Sequence, residues 1–261
     1  MVGNLLLRGM LVGILAGIIC FGFLKLLGEP AVDSAIAFET RIDEVKDTKA
    51  KAAMSGMDMP AAASAEDLVS RPVQAGIGLF TGVVVYSAAF GGLFALVFAL
   101  VNGRLGDLGP RAVTALLAAM GFVAVYLVPN LKYPASPPSV GEPGTIGIRT
   151  ALYVAMIAIS LVAMVGAALL HRRLLVRLGR WDATLAVGAA YVVVMIAAAL
   201  MLPVINEVPD GFPAVVLWQF RTASLGAQLL MWATIGVVFG RAAEPLLGAP
   251  RPTRLGSVIR T

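Results

Sequence analysis

Charge is what this sequence has least of. Only 13% of its 261 residues are Asp, Glu, Lys or Arg, and 59% are hydrophobic, where a soluble domain carries roughly a quarter charged residues. Six stretches contain no charged residue at all: 9–24, 72–103, 112–131, 150–170, 183–206 and 222–240. A helix needs about 20 residues to cross a ~30 Å hydrocarbon core, so a soluble helical core is excluded and a bilayer is the solvent. There is one cysteine, Cys20, inside the first apolar run. It has no partner for an internal disulfide and reads as packed core. There is one histidine, His171. Without a His pair, a Cys pair or paired carboxylates at membrane depth, the chain offers no haem or zinc centre. No Gly-rich phosphate loop with its lysine is present, which argues against ATP hydrolysis by this chain. Neither an enzyme nor a bound cofactor is expected.

What is present describes an all-α integral membrane protein, a single membrane domain of six transmembrane helices joined by Pro/Gly-rich extracytoplasmic loops. The helices are expected at about 5–27, 76–101, 111–131, 149–170, 183–204 and 217–240, with an extracytoplasmic loop over 28–71 and a cytoplasmic tail over 241–261. Arg8 and Lys25 can snorkel to the two interfaces of the first span. A secretory signal is the rival for this segment, because Ala35-Ile36-Ala37 resembles a cleavage site. That motif lies late, well past Leu27, and Gly13 and Gly17 have the GxxxG spacing of a packing helix, so the first helix is expected to be retained.

Basic residues set the orientation. With the N-terminus in the cytoplasm, the inner segments hold 11 basic and three acidic residues, and the outer segments 9 and 12. The segment 171–180, read as a cytoplasmic loop, carries four arginines. Both termini are therefore placed in the cytoplasm. The net charge of +5 suits anionic lipid rather than nucleic acid.

The outer connections carry the chemistry. Two of them, 126–150 and 202–222, are dense in Pro and Gly and read as rigid, non-helical loops. In the long loop, 33–45 can form a short helix and the Ala-rich stretch 50–65 reads as mobile. Short patterns recur among these segments. Gly28-Glu29-Pro30 returns as Gly141-Glu142-Pro143, Pro129, Asn130 and Pro134 are echoed by Pro203, Asn206 and Pro209, and Arg149-Thr150-Ala151 returns as Arg221-Thr222-Ala223. Arg71, Arg149 and Arg221 open returning helices at spacings of 78 and 72 residues. They stand on the outer side against the positive-inside bias, at helix N-termini where the macrodipole disfavours a cation. Pairing with external carboxylates resolves this, with Glu29, Glu142 and Glu207 nearest. Such arginines either clamp the loops or position an ion.

Glu29, Asp33, Glu142, Asn206, Glu207 and Asp210 supply oxygen donors beside Pro-constrained backbone. The set reads either as ordinary solvated charge or as a weak divalent-cation vestibule. Met54, Met57, Asp58 and Met59 add soft donors suited to Cu(I), or are incidental to an Ala-rich loop. At membrane depth only uncharged polar groups occur, among them Tyr86, Ser87, Thr114, Tyr153, Ser160, Tyr191 and Gln228. Proton-coupled carriers usually place acids or histidines there. An ion route would depend on these groups, on backbone carbonyls or on a partner. The glycines of the second span, at 76, 78, 82, 91 and 92, read as helix packing.

Several longer motifs carry a resemblance. These are Gly28-Glu29-Pro30-Ala31-Val32-Asp33, Val69-Ser70-Arg71, the run from Tyr86 to Phe98, Tyr126-Leu127-Val128-Pro129-Asn130-Leu131-Lys132-Tyr133-Pro134, Gly141-Glu142-Pro143, and Asn206-Glu207-Val208-Pro209-Asp210-Gly211-Phe212-Pro213. On these the chain resembles the CbtA family of bacterial cobalt transporter subunits across roughly residues 5–240. The resemblance implies a cobalt uptake subunit of a bacterial inner membrane that acts with CbtB, a small single-span partner with a histidine-rich end. Such a partner would supply the ligands this chain lacks. A membrane scaffold that holds a metal-binding or lipid partner without transporting is the alternative.

Overall fold

The computed structural model describes residues 2–53, 69–106 and 108–247, and every regular element among them is helical. Helix α1 (Val2–Phe23) runs through a π-helical turn (Leu24–Gly28) into α2 (Glu29–Ala53). Helix α3 (Arg71–Val73) passes through a second π turn (Gln74–Gly78) into α4 (Leu79–Val101), and α5 (Pro110–Gly121) through a third (Phe122–Leu127) into α6 (Val128–Lys132). A 3₁₀ turn (Pro143–Thr145) precedes α7 (Ile146–Met201), and α8 (Ala214–Leu247) follows. Five helical stretches are long and apolar enough to cross a membrane: Val2–Lys46, Arg71–Val101, Pro110–Lys132, Pro143–Met201 and Ala214–Leu247.

Helix α7 is interrupted within its 56 residues at Gly179, whose φ of 77° and ψ of 175° are not helical. Two hydrogen bonds fix the consequence. Ser160 and Tyr191 share one at 2.7 Å, and His171 Nε2 lies 3.0 Å from Thr184 Oγ1. The residue numbers in each pair sum to nearly the same value, so the arms before and after Gly179 run antiparallel. The segment 171–180 is helical up to this glycine rather than a loop. Its Leu, Arg and Val residues are compatible with a helix, and only Gly179 takes the positive φ that L-residues avoid.

The boundary at Gly28-Glu29-Pro30 also moves. Those residues do not end the first helix; the chain stays helical to Ala53, so the first part of the expected loop 28–71 is α2. Proline lacks an N–H and crowds the carbonyl four residues back. The π turn ending at Gly28, two residues before Pro30, widens the backbone there and takes up the clash. The π turn ending at Leu127 stands in the same relation to Pro129. Residues 126–132, at the head of the Pro-rich segment 126–150, are therefore helical, and its irregular part is 133–142. The methionine cluster at 54, 57 and 59 lies outside the described residues.

The core is built from α1, α4, α5 and α8, with α1 packed along α4 and α8, and α5 along α8. In a bilayer apolar burial gives little net drive, and close packing of small residues brings helices together. At Gly9, Gly13 and Gly17 an added Cβ would run into Gly91, Ser87 and Val84 of α4. At Gly236 and Gly240 it would meet Ala118 and Thr114 of α5, and Gly121 lies under the ring of Trp232. Gly91 and Gly92 fit the packing reading. Gly76 and Gly82 do not, because nothing lies within 4 Å of their Cβ positions. Phe90, Phe94 and Phe98 recur every fourth residue on α4 and dock edge-on against Trp232 and Phe239 of α8, at centroid distances of 4.9 to 6.5 Å; such pairs add to dispersion packing. One end of the bundle is tied by Arg8 to the Ala242 carbonyl, Arg111 to Glu244 at 2.5 Å, and Arg172 to the Arg104 carbonyl.

Helix α7 stands to one side. It packs on α6 and on the third π turn and leaves large apolar side chains such as Val162, Val176, Leu200 and Met201 exposed, as suits lipid contact. At the outer end, Ala35 of α2 is buried with Val140 and Phe212, and Phe38 meets Phe212 edge-on at 5.0 Å. The small residues that resemble a cleavage site thus lie within a helix and take part in an outer cluster.

Candidate functional site

Two arginine clamps organise the end of the molecule that carries α2 and the segments 133–142 and 202–213, the end expected to lie outside. In the first, Arg71 at the head of α3 reaches α2, with Nη2 2.7 Å from Glu29 and 2.8 Å from Asp33, and Nε 3.2 Å from Asp33. The π turns of the two helices meet below it, where Lys25 Nζ donates to the Ala75 carbonyl at 3.0 Å. The carboxylates offset the unfavourable placement of a cation at a helix N-terminus.

In the second, Arg149 of α7 donates from Nη2 to the Glu142 carbonyl at 3.2 Å, and its Nε lies 3.3 Å from Glu207. Glu207 is the hub. It accepts the Thr145 hydroxyl and the Glu142 amide, each at 2.9 Å. Arg221 of α8 donates from Nε to the Ala135 carbonyl at 3.3 Å, and among the described residues no carboxylate lies within ion-pair distance of it. Arg149, in the first turn of α7, and Arg221 thus grip the same loop, 133–142, at its two ends; Arg221 does not open its helix as expected, because α8 starts at Ala214 and places it two turns inside. Tyr133 ties that loop to 202–213 by donating to the Pro203 carbonyl at 2.8 Å, and Ser139 ties it to α2 by donating to the Ala35 carbonyl at 2.8 Å.

Arg149 and Arg221 both line a cleft of about 440 Å³, whose lining also includes Glu207, Tyr126, Tyr133 and Tyr153. Two guanidinium groups face one carboxylate, so the cleft is electropositive. The six oxygen-donor residues separate into groups. Glu29 and Asp33 are held by Arg71. Asn206 and Glu207 line the cleft, with the Glu142 backbone bonded to Glu207. Asp210 is exposed and lies outside the cleft lining. Among the described residues no three His, Cys, Asp or Glu side chains converge. Glu142 meets Arg149 through its carbonyl, while its exposed side chain points elsewhere; the ion-pair partner of Arg149 is Glu207. Of the cleft's tyrosines, only Tyr153 stands among the polar groups read at membrane depth. Tyr126 lies in a π turn and Tyr133 just past the end of α6, so no helical spacing marks that pair.

The Thr145 hydroxyl, the Glu142 amide and the Arg149 charge hold the Glu207 carboxyl below its ordinary value of 4.5. A lowered folded-state pKa contributes stability that is complete above the unfolded value and is lost as pH falls through the folded one. Protection of the Glu142 amide, relative to its intrinsic exchange rate at each pH, should be full above pH 4.5 and decline as pH falls from there through the lowered value at which Glu207 takes up its proton. Protection that persists through strongly acidic pH would show that another group holds this amide. Gly141 makes a sharper test. Its φ is +110°, and a Cβ there would collide with the Arg149 guanidinium. Gly141→Ala should release the Arg149 clamp while leaving the four-helix core folded, read as faster exchange at Glu142 and Thr145 with an unchanged elution profile.

The family model described as "Probable cobalt transporter subunit (CbtA)" matches residues 2–244. The chain belongs to the CbtA family. No significant match is found among curated proteins or among solved structures. Membership in CbtA carries three coarse conclusions: a membrane protein, a place in cobalt transport, and a subunit's need of a partner. A transporter subunit is not ordinarily an enzyme.

Proposed function

We propose that this chain is the main membrane subunit of a cobalt uptake system, taking a divalent cation from the outer face toward the cytoplasm. The match to the CbtA model over residues 2–244 carries this reading. Reversal of α7 at Gly179 supports six crossings with both termini in the cytoplasm, because it sets Arg172, Arg173, Arg177 and Arg180 at an inner turn as the positive-inside rule requires. A small single-span partner with histidines, of the CbtB kind, supplies donors that the described residues do not bring together.

On this reading the exposed carboxylates of Glu142 and Asp210 and the amide of Asn206 gather the cation. Glu29, Asp33 and Glu207 hold Arg71 and Arg149 and so fix the shape of the mouth. The test is cobalt accumulation in cells making this chain and its partner, followed by the purified pair in proteoliposomes. Accumulation that depends on both chains supports transport. Absence of flux with both present favours the scaffold alternative. Uptake unchanged in Glu142→Gln and Glu207→Gln would sink the vestibule. A cysteine introduced by Ser136→Cys should react with a membrane-impermeant maleimide added outside; reaction only from the cytoplasm reverses the orientation.

A further inference from the structure

The two arginine clamps differ in charge balance. Arg71 has two carboxylates to itself, Glu29 and Asp33. The cleft at the second clamp has the reverse: two arginines line it, and the one carboxylate in its lining is that of Glu207. That carboxylate is already engaged by the Thr145 hydroxyl, the Glu142 amide and Arg149. Arg221 is bonded through Nε, to the Ala135 carbonyl, and among the described residues its Nη1 and Nη2 have no partner. Arg149 uses Nε and Nη2, which leaves its Nη1 in the same condition. Both side chains are half-buried, where donors left without acceptors are costly.

Other donors stand on the same wall. Asn130 accepts the Ala135 amide through Oδ1 at 3.2 Å, which leaves its NH₂ group to donate into the cleft it lines. Tyr126 lines it too, and its buried hydroxyl has no hydrogen-bond partner. Donors therefore exceed acceptors in a cleft of about 440 Å³, a size that suits a small molecule. The wall also carries Ile146 and Ile205, which favour an anion with a carbon skeleton over a compact inorganic one. A bare dication is badly served here. The arginines repel it, and among the described residues no three His, Cys, Asp or Glu side chains converge to hold it.

We infer that this cleft binds a small organic polycarboxylate, and that the divalent cation reaches it as the complex with that anion rather than as the bare ion. The second half rests on the transport reading; the first stands on the cleft alone. A guanidinium fork matches a carboxylate with two parallel N–H···O bonds. A tricarboxylate that holds a dication is still an anion, so the charge that repels the free metal attracts the complex. It also brings the oxygen ligands that the chain does not assemble.

The test titrates the full chain in detergent with metal-free citrate, followed by calorimetry. The wild type should bind it saturably, and Arg221→Gln should weaken binding by about tenfold or more, the loss expected of a charge-assisted hydrogen bond. Arg221→Lys keeps the charge without the fork and should recover only part of the affinity; it also serves if the glutamine variant fails to fold. No saturable citrate binding to the folded wild type overturns the site, as does wild-type affinity in both Arg221 variants. Inorganic phosphate bound as tightly as citrate overturns the organic-anion assignment. The metal half is read in cells making both subunits, with total cobalt fixed and citrate raised. Uptake should rise with the concentration of the cobalt–citrate complex; uptake that follows free Co²⁺ instead overturns entry as a complex. Citrate binding in a pair of chains that moves no cobalt in either form leaves the anion site standing and removes the transport reading.

Discussion

Gly13→Leu is expected to prevent α1 and α4 from closing, with loss of monodisperse protein in detergent. A Cβ at Gly13 would run into the Ser87 carbonyl and come within 2.9 Å of Ala88 Cα. These are backbone atoms and cannot swing aside as a side-chain tip can. Overpacking costs about 1–3 kcal/mol where side chains can give way, and here the yielding part must be a whole helix. Gly13 also sits between Gly9 and Gly17, which make the same kind of approach one turn away on each side. The separation forced at one position therefore opens all three, and a loss of about 3 kcal/mol or more is expected. Gly13→Ala should have a smaller effect of the same sign, while Gly82→Ala, with open space around it, should leave stability near that of the wild type. Thermal unfolding followed by size-exclusion recovery would rank the three. A Gly13→Leu variant as stable as Gly82→Ala would show that the two helices do not meet along this seam.

Arg149→Ala is expected to leave the protein folded and strongly impair cobalt uptake. The core of α1, α4, α5 and α8 does not include Arg149. The outer cleft does, because one guanidinium holds both the Glu142 carbonyl and the Glu207 carboxylate. A hydrogen bond with a charged partner is worth about 1.5–3 kcal/mol. Its removal lowers the population of the ordered cleft by about ten- to a hundredfold. Arg149→Lys should not restore it, since an ammonium cannot offer the planar fork that spans two acceptors. Uptake and thermal stability measured together give the answer. Wild-type uptake in Arg149→Ala would mean that the outer cleft is not on the route, and a falling melting temperature would mean that the clamp holds up the core.

Much of this arrangement was legible in the sequence, and where it was not the reasons are physical. Five apolar helical stretches could be read where six were expected, because a charge inside hydrocarbon is costly and its absence marks a candidate crossing without any appeal to propensity. The arginines at 71, 149 and 221 stood out for the same reason, and pairing with Glu29, Glu142 and Glu207 was the expected remedy; Arg71 and Arg149 do pair with Glu29 and Glu207, while Arg221 lies two turns inside α8 and bonds the Ala135 carbonyl. Gly28-Glu29-Pro30 misled because its look-alike, Gly141-Glu142-Pro143, does break the chain. The difference lies in a π turn at the first site and a positive φ at Gly141, and neither is encoded in the three residues themselves. Glu142 was chosen for its carboxylate and engages Arg149 through its backbone, which every residue possesses and no sequence motif announces. Cys20 read as packed core, and it is buried there against Ala227 of α8, 207 positions away along the chain.

Such separations bear on how the protein is made. Cys20 bonds to Ala227, and Arg8 to Ala242, across 207 and 234 residues. The first helix to leave the ribosome thus finds part of its permanent neighbourhood only in the last. The α7 arms, by contrast, close on themselves at Ser160–Tyr191 and His171–Thr184 and can pair as they are inserted. Throughout synthesis α1 offers a glycine-notched groove with no α8 to fill it, open to whatever insertase or lipid stands beside it. The bundle can close only once α8 is in place, and a chain cut short before α8 would leave that groove open.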